Sequence, residues 1–219
     1  MPTDPVVSKK IAEQLLQIKA IKLQPEKPFT WASGWKSPIY CDNRISLSYP
    51  KVRTYMRQEL VSSIEKNYGK PDVIAAVATA AIAQGALVAE AMGLPFVYVR
   101  ATAKEHGRKN LIEGEIRNDQ SVVVIEDLIS TGQSSLKAVE SLREAGFNVK
   151  GMISIFTYGF ELSKQNFEDV QCPLTSLCSY DDLLSQALES GYIKENELEL
   201  LREWRAAPES WGQQSGDFK

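Results

Sequence analysis

The fold of this 219-residue chain is decided by the stretch VVVIEDLISTGQSS, residues 122–135. Its first four residues are all β-branched, and they predict a buried strand over Val122–Ile125. Two adjacent acids, Glu126 and Asp127, follow directly, and a turn of small residues over 130–134 then leads into a helix. Ligands of open α/β sheets bind beyond the carboxyl ends of the strands, so we expect a binding site here.

The turn has the composition of a phosphate cradle. Its hydroxyls, successive backbone N–H groups and the following helix N-terminus can all face an anion, and Gly132 permits close backbone approach. The two acids would repel a phosphate unless the ligand also carried hydroxyls or a divalent cation, so a phosphorylated sugar fits best. A bare S-T-G turn is more often only a helix start with solvated acids. The stretch is neither a G-K-[ST] loop nor a G-x-G-x-x-G fingerprint.

Apolar runs alternate with helical patterns along most of the chain. This alternation predicts the α/β class, with a parallel sheet covered by helices on both faces. The predicted strands are Val73–Val77, Phe96–Val99, Val122–Ile125 and Val149–Phe156. The predicted helices are Val7–Leu23, residues 51–68, Ile82–Met92, Leu136–Ala145, and two between Tyr180 and Arg205 that Gly191 separates.

Composition excludes several classes of protein. With 25 Lys+Arg against 28 Asp+Glu, the net charge of −3 disfavours a general nucleic-acid binder. A single histidine, His106, leaves little room for a zinc site built on histidine pairs. The three cysteines are expected to be reduced thiols, and the apolar region 73–99 is too interrupted for a membrane span. We therefore expect a cytoplasmic protein with no membrane or nucleic-acid partner.

Two further segments stand out. Residues 100–109 carry Arg100, Lys104, Arg108 and Lys109 against one acid, a local charge of +3. Such a charge run is usually a solvated face, but after a strand end it could close over a polyphosphate. Residues 27–50 are rich in aromatic residues and prolines, and they are equally compatible with an ordered surface segment and with a hood that stacks on a ring.

These segments carry a family resemblance. VVVIEDLISTGQS resembles the phosphoribosyl-pyrophosphate (PRPP) motif of type I phosphoribosyltransferases. The order R-x-x-x-K-x-H-G from Arg100, and FTWASGWKSPIYCDNR over residues 29–44, resemble the mobile loop and the hood of orotate phosphoribosyltransferases, most closely the bacterial branch found in bacilli. The resemblance covers most of residues 7–205. Ala32, Ala101 and Thr157 depart from the enteric pattern, which has two lysines and a base-contacting arginine there, so those roles are not transferred.

The resemblance implies one phosphoribosyltransferase domain over residues 1–219, with a core at about 51–180. A small hood is formed by residues at about 1–50 together with part of the C-terminal tail. The same resemblance implies transfer of the phosphoribosyl group from PRPP to orotate, giving orotidine 5′-monophosphate and pyrophosphate, with Mg²⁺ held mainly by PRPP and water. It also implies a homodimer in which Arg100 and its loop serve the neighbouring subunit.

The site residues follow from the same resemblance. Lys104, His106, Glu126 and Asp127 are the expected catalytic residues. PRPP is expected to contact these four together with Arg100, Leu128, Ile129, Ser130, Thr131, Gly132, Gln133 and Ser134. Orotate is expected to contact Ser130, with Tyr40, Arg44 and Trp35 as weaker candidates. Two alternatives stay open: a type I phosphoribosyltransferase acting on a purine or uracil, and a PRPP-sensing regulator without turnover.

Overall fold

The structure is a computed structural model that describes residues 4–30, 34, 36–102, 111–115 and 117–211. Four short strands precede the central sheet in the chain: β1 (Ile21–Leu23), β2 (Phe29–Thr30), β3 (Lys36–Ser37) and β4 (Ile39–Cys41). The central sheet follows, with β5 (Val73–Val77), β6 (Phe96–Val99), β7 (Ile112–Glu113), β8 (Ser121–Ile129), β9 (Asn148–Thr157) and β10 (Leu174–Ser179). Its order is β10-β9-β8-β5-β6-β7, and only the edge strand β7 runs antiparallel to its neighbour.

Helices cover both faces of this sheet. They are α1 (Pro5–Gln17), α2 (Pro50–Tyr68), α3 (Ile82–Met92), α4 (Gln133–Glu144), α5 (Glu161–Asp169), α6 (Tyr180–Glu189) and α7 (Glu195–Ala206), with a 3₁₀ helix at Asn43–Ser48. Side chains alternate along β8, so Val123 and Ile125 join the larger cluster beneath α1–α3, α6 and α7. Val122 and Val124 join the smaller cluster beneath α4 and α5. The predicted α/β class is confirmed.

Several predicted elements match the structure closely, and two do not. The strands Val73–Val77 and Phe96–Val99 and the helix Ile82–Met92 have the predicted bounds. The prediction of one helix over Val7–Leu23 was wrong, because α1 ends at Gln17 and Lys19 takes a left-handed φ of 59°. Residues 21–23 then pair with β4 as a strand.

The strand predicted over Val122–Ile125 is longer than expected. β8 continues to Ile129, because β9 keeps pairing with it as far as Thr157. Both acids of the motif therefore lie inside the strand. The sequence did not predict α5 or β10.

The N-terminal elements pack beside the strand ends. β1 pairs with β4, β2 pairs with β3, and α1 packs against α6. The division into a hood and a core stays a prediction. Each of the three cysteines is a free thiol. Across the described ranges, no helix has both the length and the apolar character needed to span a membrane.

Candidate active site

A cavity of about 790 Å³ opens at the carboxyl ends of β5, β6 and β8. It lies where the parallel strands end, which is the usual ligand position in such sheets. Six residues that the sequence predicted for the site line it: Arg100, Glu126, Asp127, Leu128, Gln133 and Ser134. The cavity also takes in Val77 at the end of β5, residues 78–80 after it, and Lys137 from the second turn of α4.

The turn between β8 and α4 presents backbone N–H groups at the start of a helix. Gly132 is the residue before α4, with a φ of +79°, and no side chain caps this helix end. The first amides of a helix have no partner within the helix, and the helix dipole makes this end positive. Gln133 and Ser134 carry these amides to the cavity, so the local geometry favours a phosphate.

Not every predicted PRPP contact lines this cavity. Ile129 is fully buried in the cluster beneath α4, and its carbonyl accepts a hydrogen bond from Tyr158 N at 3.1 Å. Its side chain therefore cannot reach a ligand, although its backbone leads into the turn. Thr131 lines a second cavity of about 840 Å³ on the α5 side of the turn. Ser130 and Gly132 are the chain neighbours of Thr131 in the turn.

Glu126 is held inside the protein and does not point freely into the cavity. It is 5% exposed, and its two carboxyl oxygens accept hydrogen bonds from Ser135 Oγ at 2.7 Å and from Asp127 N at 2.9 Å. Burial, and then the charge of Asp127, raise the pKa of Glu126 from 4.5 to about 8. Burial also raises the pKa of Asp127.

These shifts explain how two acids can lie beside a phosphate site. Burial and the neighbouring charge favour the protonated form of Glu126, so the raised pKa lowers the negative charge of the pair. The repulsion toward an incoming phosphate is correspondingly smaller. Asp127 is the more accessible acid of the pair, since its side chain is half-buried at the cavity.

The main chain at Asp127 is anchored by the N-terminal segment. Asn43, from the 3₁₀ helix, donates from Nδ2 to the carbonyl oxygen of Asp127 at 2.7 Å. Asn43 is only 2% exposed, and its own carbonyl accepts from Ser46 Oγ at 2.6 Å. The N-terminal segment therefore has a fixed position relative to the end of β8.

Arg100 lies directly after β6 and brings a cation to the cavity. Its Nη1 lies 3.5 Å from Glu113 Oε1, and both side chains are partly buried. Its backbone N donates to Leu111 O at 2.8 Å, and Leu111 also lines this cavity. Lys104 and His106, the main catalytic predictions, lie outside the described residues, as do Ala32 and Trp35.

The weaker candidates for the base lie apart from the cavity lining. Tyr40 is 40% exposed on β4, with its ring centroid 5.6 Å from that of Phe29. Arg44 pairs with Asp42 through two hydrogen bonds of 2.7 and 3.0 Å, which lower the pKa of Asp42. Thr157 lines the second cavity, and its hydroxyl accepts from Gly159 N at 3.1 Å.

Sequence reasoning missed several residues of the site. Residues 78–80 follow a predicted strand, so the strand-end rule could have found them. Lys137 lies four residues after Gln133 on α4, and helical spacing could have found it. Asn43 and Ser135 lie within the quoted stretches 29–44 and 122–135, but nothing in either stretch indicated a role for these two side chains.

The donor set suits a magnesium ion that is held mainly by substrate. Within the described part of the chain, no three His, Cys, Asp or Glu side chains form a group that could hold a metal. Mg²⁺ usually binds one or two carboxylates together with substrate phosphates and water. Asp127, at the cavity, is the carboxylate that fits this role, while Glu126 already accepts two internal hydrogen bonds.

The parallel sheet, the acid pair at a strand end and the uncapped turn define a class of protein. The sequence model of the phosphoribosyl transferase domain family matches residues 51–173 of this chain. This range includes the cavity and the turn. The chain is therefore a phosphoribosyltransferase by fold and site.

Two curated relatives narrow this class. The orotate phosphoribosyltransferase of Porphyromonas gingivalis is 56% identical over 206 residues, 94% of this chain and 98% of that protein. The protein of the same name from Bacteroides fragilis (strain ATCC 25285) is 57% identical over 200 residues, covering 91% and 94% of the two chains. The chain belongs to the orotate phosphoribosyltransferase family.

A solved structure supports the same assignment of the fold. UMP synthase of Leishmania donovani matches with a TM-score of 0.76 at 26% identity. The match covers 90% of this chain and 42% of the synthase chain. The resemblance seen in the sequence motifs is thus confirmed.

Proposed function

We propose that this chain transfers the phosphoribosyl group of PRPP to orotate, giving orotidine 5′-monophosphate and pyrophosphate in pyrimidine nucleotide synthesis. The observation that carries the proposal is one cavity in which an acid pair, an uncapped helix start and two cations meet. These groups match the three parts of PRPP, which are a hydroxylated sugar, a 5′-phosphate and a pyrophosphate.

The turn would bind the 5′-phosphate. The backbone amides at Gln133 and Ser134, with the hydroxyls of Ser130 and Ser134, supply the donors, and Gly132 lets the backbone approach closely. Asp127 would accept hydrogen bonds from the ribose hydroxyls. It would also stabilise the positive charge that develops on the sugar as the bond to pyrophosphate weakens.

The cations would meet the pyrophosphate. Arg100 and Lys137 line the cavity, and Lys104 and His106 belong to the basic segment that begins at Arg100. Orotate is already an anion and needs no strong general base. Stabilisation of the leaving group should therefore dominate the rate, as electrostatic preorganisation does in many enzymes.

A bound Mg²⁺ supplies positive charge to the pyrophosphate, and Asp127 is the residue of the cavity that would help to hold it. A homodimer in which Arg100 and the basic segment serve the neighbouring subunit, and a cytoplasmic location, complete the proposal. Both rest on the family assignment.

The direct test follows the absorbance of orotate with PRPP and Mg²⁺ present, and again with PRPP left out. A fall in absorbance that requires PRPP is expected. Adenine, guanine, hypoxanthine and uracil in place of orotate should give no nucleotide. Turnover with one of these bases and not with orotate would overturn the choice of substrate. No turnover with any base, with PRPP still bound, would favour a regulator.

A pair of aspartate variants tests the site itself. Asp127→Asn should lower turnover by about a hundredfold, the scale expected when one electrostatic contact is lost. Asp72→Asn is the control, since Asp72 lies at the opposite end of the sheet, where it accepts from Ser121 N at 2.8 Å. If both variants lose the same fraction of activity, Asp127 has no specific role.

A further inference from the structure

The turn between β8 and α4 is supported from behind by α5. Asn166 donates from Nδ2 to the carbonyl oxygen of Thr131 at 2.9 Å. The next residue, Phe167, is 4% exposed and packs behind Gly132, where an added Cβ would lie 2.6 Å from its ring. Neither residue belongs to the motif that predicted the site, and both reach the turn from more than thirty residues along the chain.

The hydrogen bond from Asn166 sets the direction of the peptide group between Thr131 and Gly132. The peptide between Thr131 and Gly132 is trans, so its carbonyl and its N–H point in opposite directions. The carbonyl points toward α5, because Asn166 holds it there. The N–H of Gly132 must therefore point to the other side of the turn, where Gln133 and Ser134 line the 790 Å³ cavity.

Without the hydrogen bond from Asn166, this peptide group could rotate. Glycine tolerates both left- and right-handed backbone conformations, so rotation of the peptide before Gly132 meets little steric resistance. Rotation would direct the Thr131 carbonyl toward the cavity and the N–H away from it. An anion there would then meet a negative oxygen in place of a donor.

We propose that Asn166 is a positioning residue for the 5′-phosphate of PRPP, acting through the Thr131 carbonyl to keep the Gly132 N–H directed into the cavity. The inference rests on the proposed function, because it assumes that the turn binds that phosphate. Asn166 does not itself touch the substrate. Its effect should therefore be confined to ligands that carry the 5′-phosphate.

The test measures two probes by calorimetry: ribose 5-phosphate, which has the 5′-phosphate, and pyrophosphate with Mg²⁺, which lacks it. Asn166→Ala should raise the Kd for ribose 5-phosphate about tenfold, equivalent to about 1.4 kcal/mol. The Kd for pyrophosphate should change less than about twofold. In steady state, KM for PRPP should rise while KM for orotate stays the same.

Two further variants separate positioning from general damage. Asn166→Asp keeps the size of the side chain but removes the donor, so it should weaken ribose 5-phosphate at least as much. Asn67→Ala is the matched control, since Asn67 also donates from Nδ2 to a backbone carbonyl, that of Ser63 at 2.8 Å, but within α2. The control should leave both probes unchanged.

The outcomes are distinguishable. Equal weakening of both probes by Asn166→Ala would indicate general structural damage and would overturn the proposal, as would no weakening of either. If the wild-type protein itself fails to consume orotate or to bind ribose 5-phosphate, the proposed function is wrong. If the wild type does both and Asn166→Ala behaves identically, only the positioning role is wrong.

Discussion

Replacing Gly132 by alanine should damage the phosphate turn for two separable reasons. The first reason is conformational, because the φ of +79° is one that side chains with a Cβ avoid at about 1–2 kcal/mol. The second reason is steric. The new Cβ would lie 2.6 Å from Phe167 Cε2, well inside the ordinary contact distance of 3.4 Å.

The size of the effect follows from the surroundings of Phe167. Its ring is 4% exposed, so it cannot swing into solvent, and the clash adds about 1–3 kcal/mol, as overpacking does in other cores. The turn must relax by several tenths of an ångström toward the ligand. A misplacement approaching 1 Å costs about a hundredfold in rate, so kcat/KM for PRPP should fall by about that factor.

Gly93→Ala separates the two reasons. Gly93 has a similar φ of +64° at the end of α3, but a Cβ there would have nothing within 4 Å. This variant should lose about 1 kcal/mol of stability and keep its activity. Adding Phe167→Leu to Gly132→Ala should restore part of the activity, because it opens space behind the turn.

The assay is the absorbance change of orotate at varied PRPP, together with thermal unfolding of each variant. Equal values of kcat/KM for PRPP in Gly132→Ala and Gly93→Ala would contradict the steric explanation. The same explanation fails if the double variant stays folded at the assay temperature but is no more active than Gly132→Ala.

Three other predictions follow from single residues. Lys104→Ala should lower kcat about a hundredfold with the melting temperature unchanged, and near-normal turnover would contradict its role with pyrophosphate. Asn43→Ala leaves the buried carbonyl of Asp127 without its donor, so urea unfolding should show a loss of about 1–3 kcal/mol, and an unchanged midpoint would argue against this anchor. Glu126, with its pKa raised from 4.5 to about 8, keeps a proton in the folded state that the unfolded chain has lost. The free energy of unfolding should therefore fall as pH rises from 4.5 to 8, and Glu126→Gln should flatten this slope in urea titrations at pH 5 and 7.5. Parallel slopes in the two proteins would contradict the shift.

The sequence predicted the elements whose hydrophobic pattern can be recognised within one short segment. Val73–Val77 and Phe96–Val99 are short apolar runs between turn residues, and their bounds were predicted to the residue. Burial on both faces of a parallel sheet requires such continuous apolar runs, so the pattern is readable without neighbours.

The elements that it missed depend on distant partners. β10 contains Thr175 and Ser176, which read as polar loop residues. In the folded chain Thr175 bonds to Tyr68 at 2.9 Å and Ser176 bonds to Ser154 at 2.7 Å. Buried hydroxyls are acceptable only where such partners exist, and a single segment does not reveal them.

The same division holds at the site. The sequence by itself determined the chemistry, since VVVIEDLISTGQSS contains the strand, the two acids and the phosphate turn in one contiguous stretch. Only the tertiary structure decided how these groups are held. The carbonyl of Asp127 accepts from Asn43, 84 residues away, and the carbonyl of Thr131 accepts from Asn166, 35 residues away. The difference lies in separation along the chain. Side-chain types and backbone turns are encoded locally, whereas a hydrogen bond between distant segments forms only after packing has brought them together.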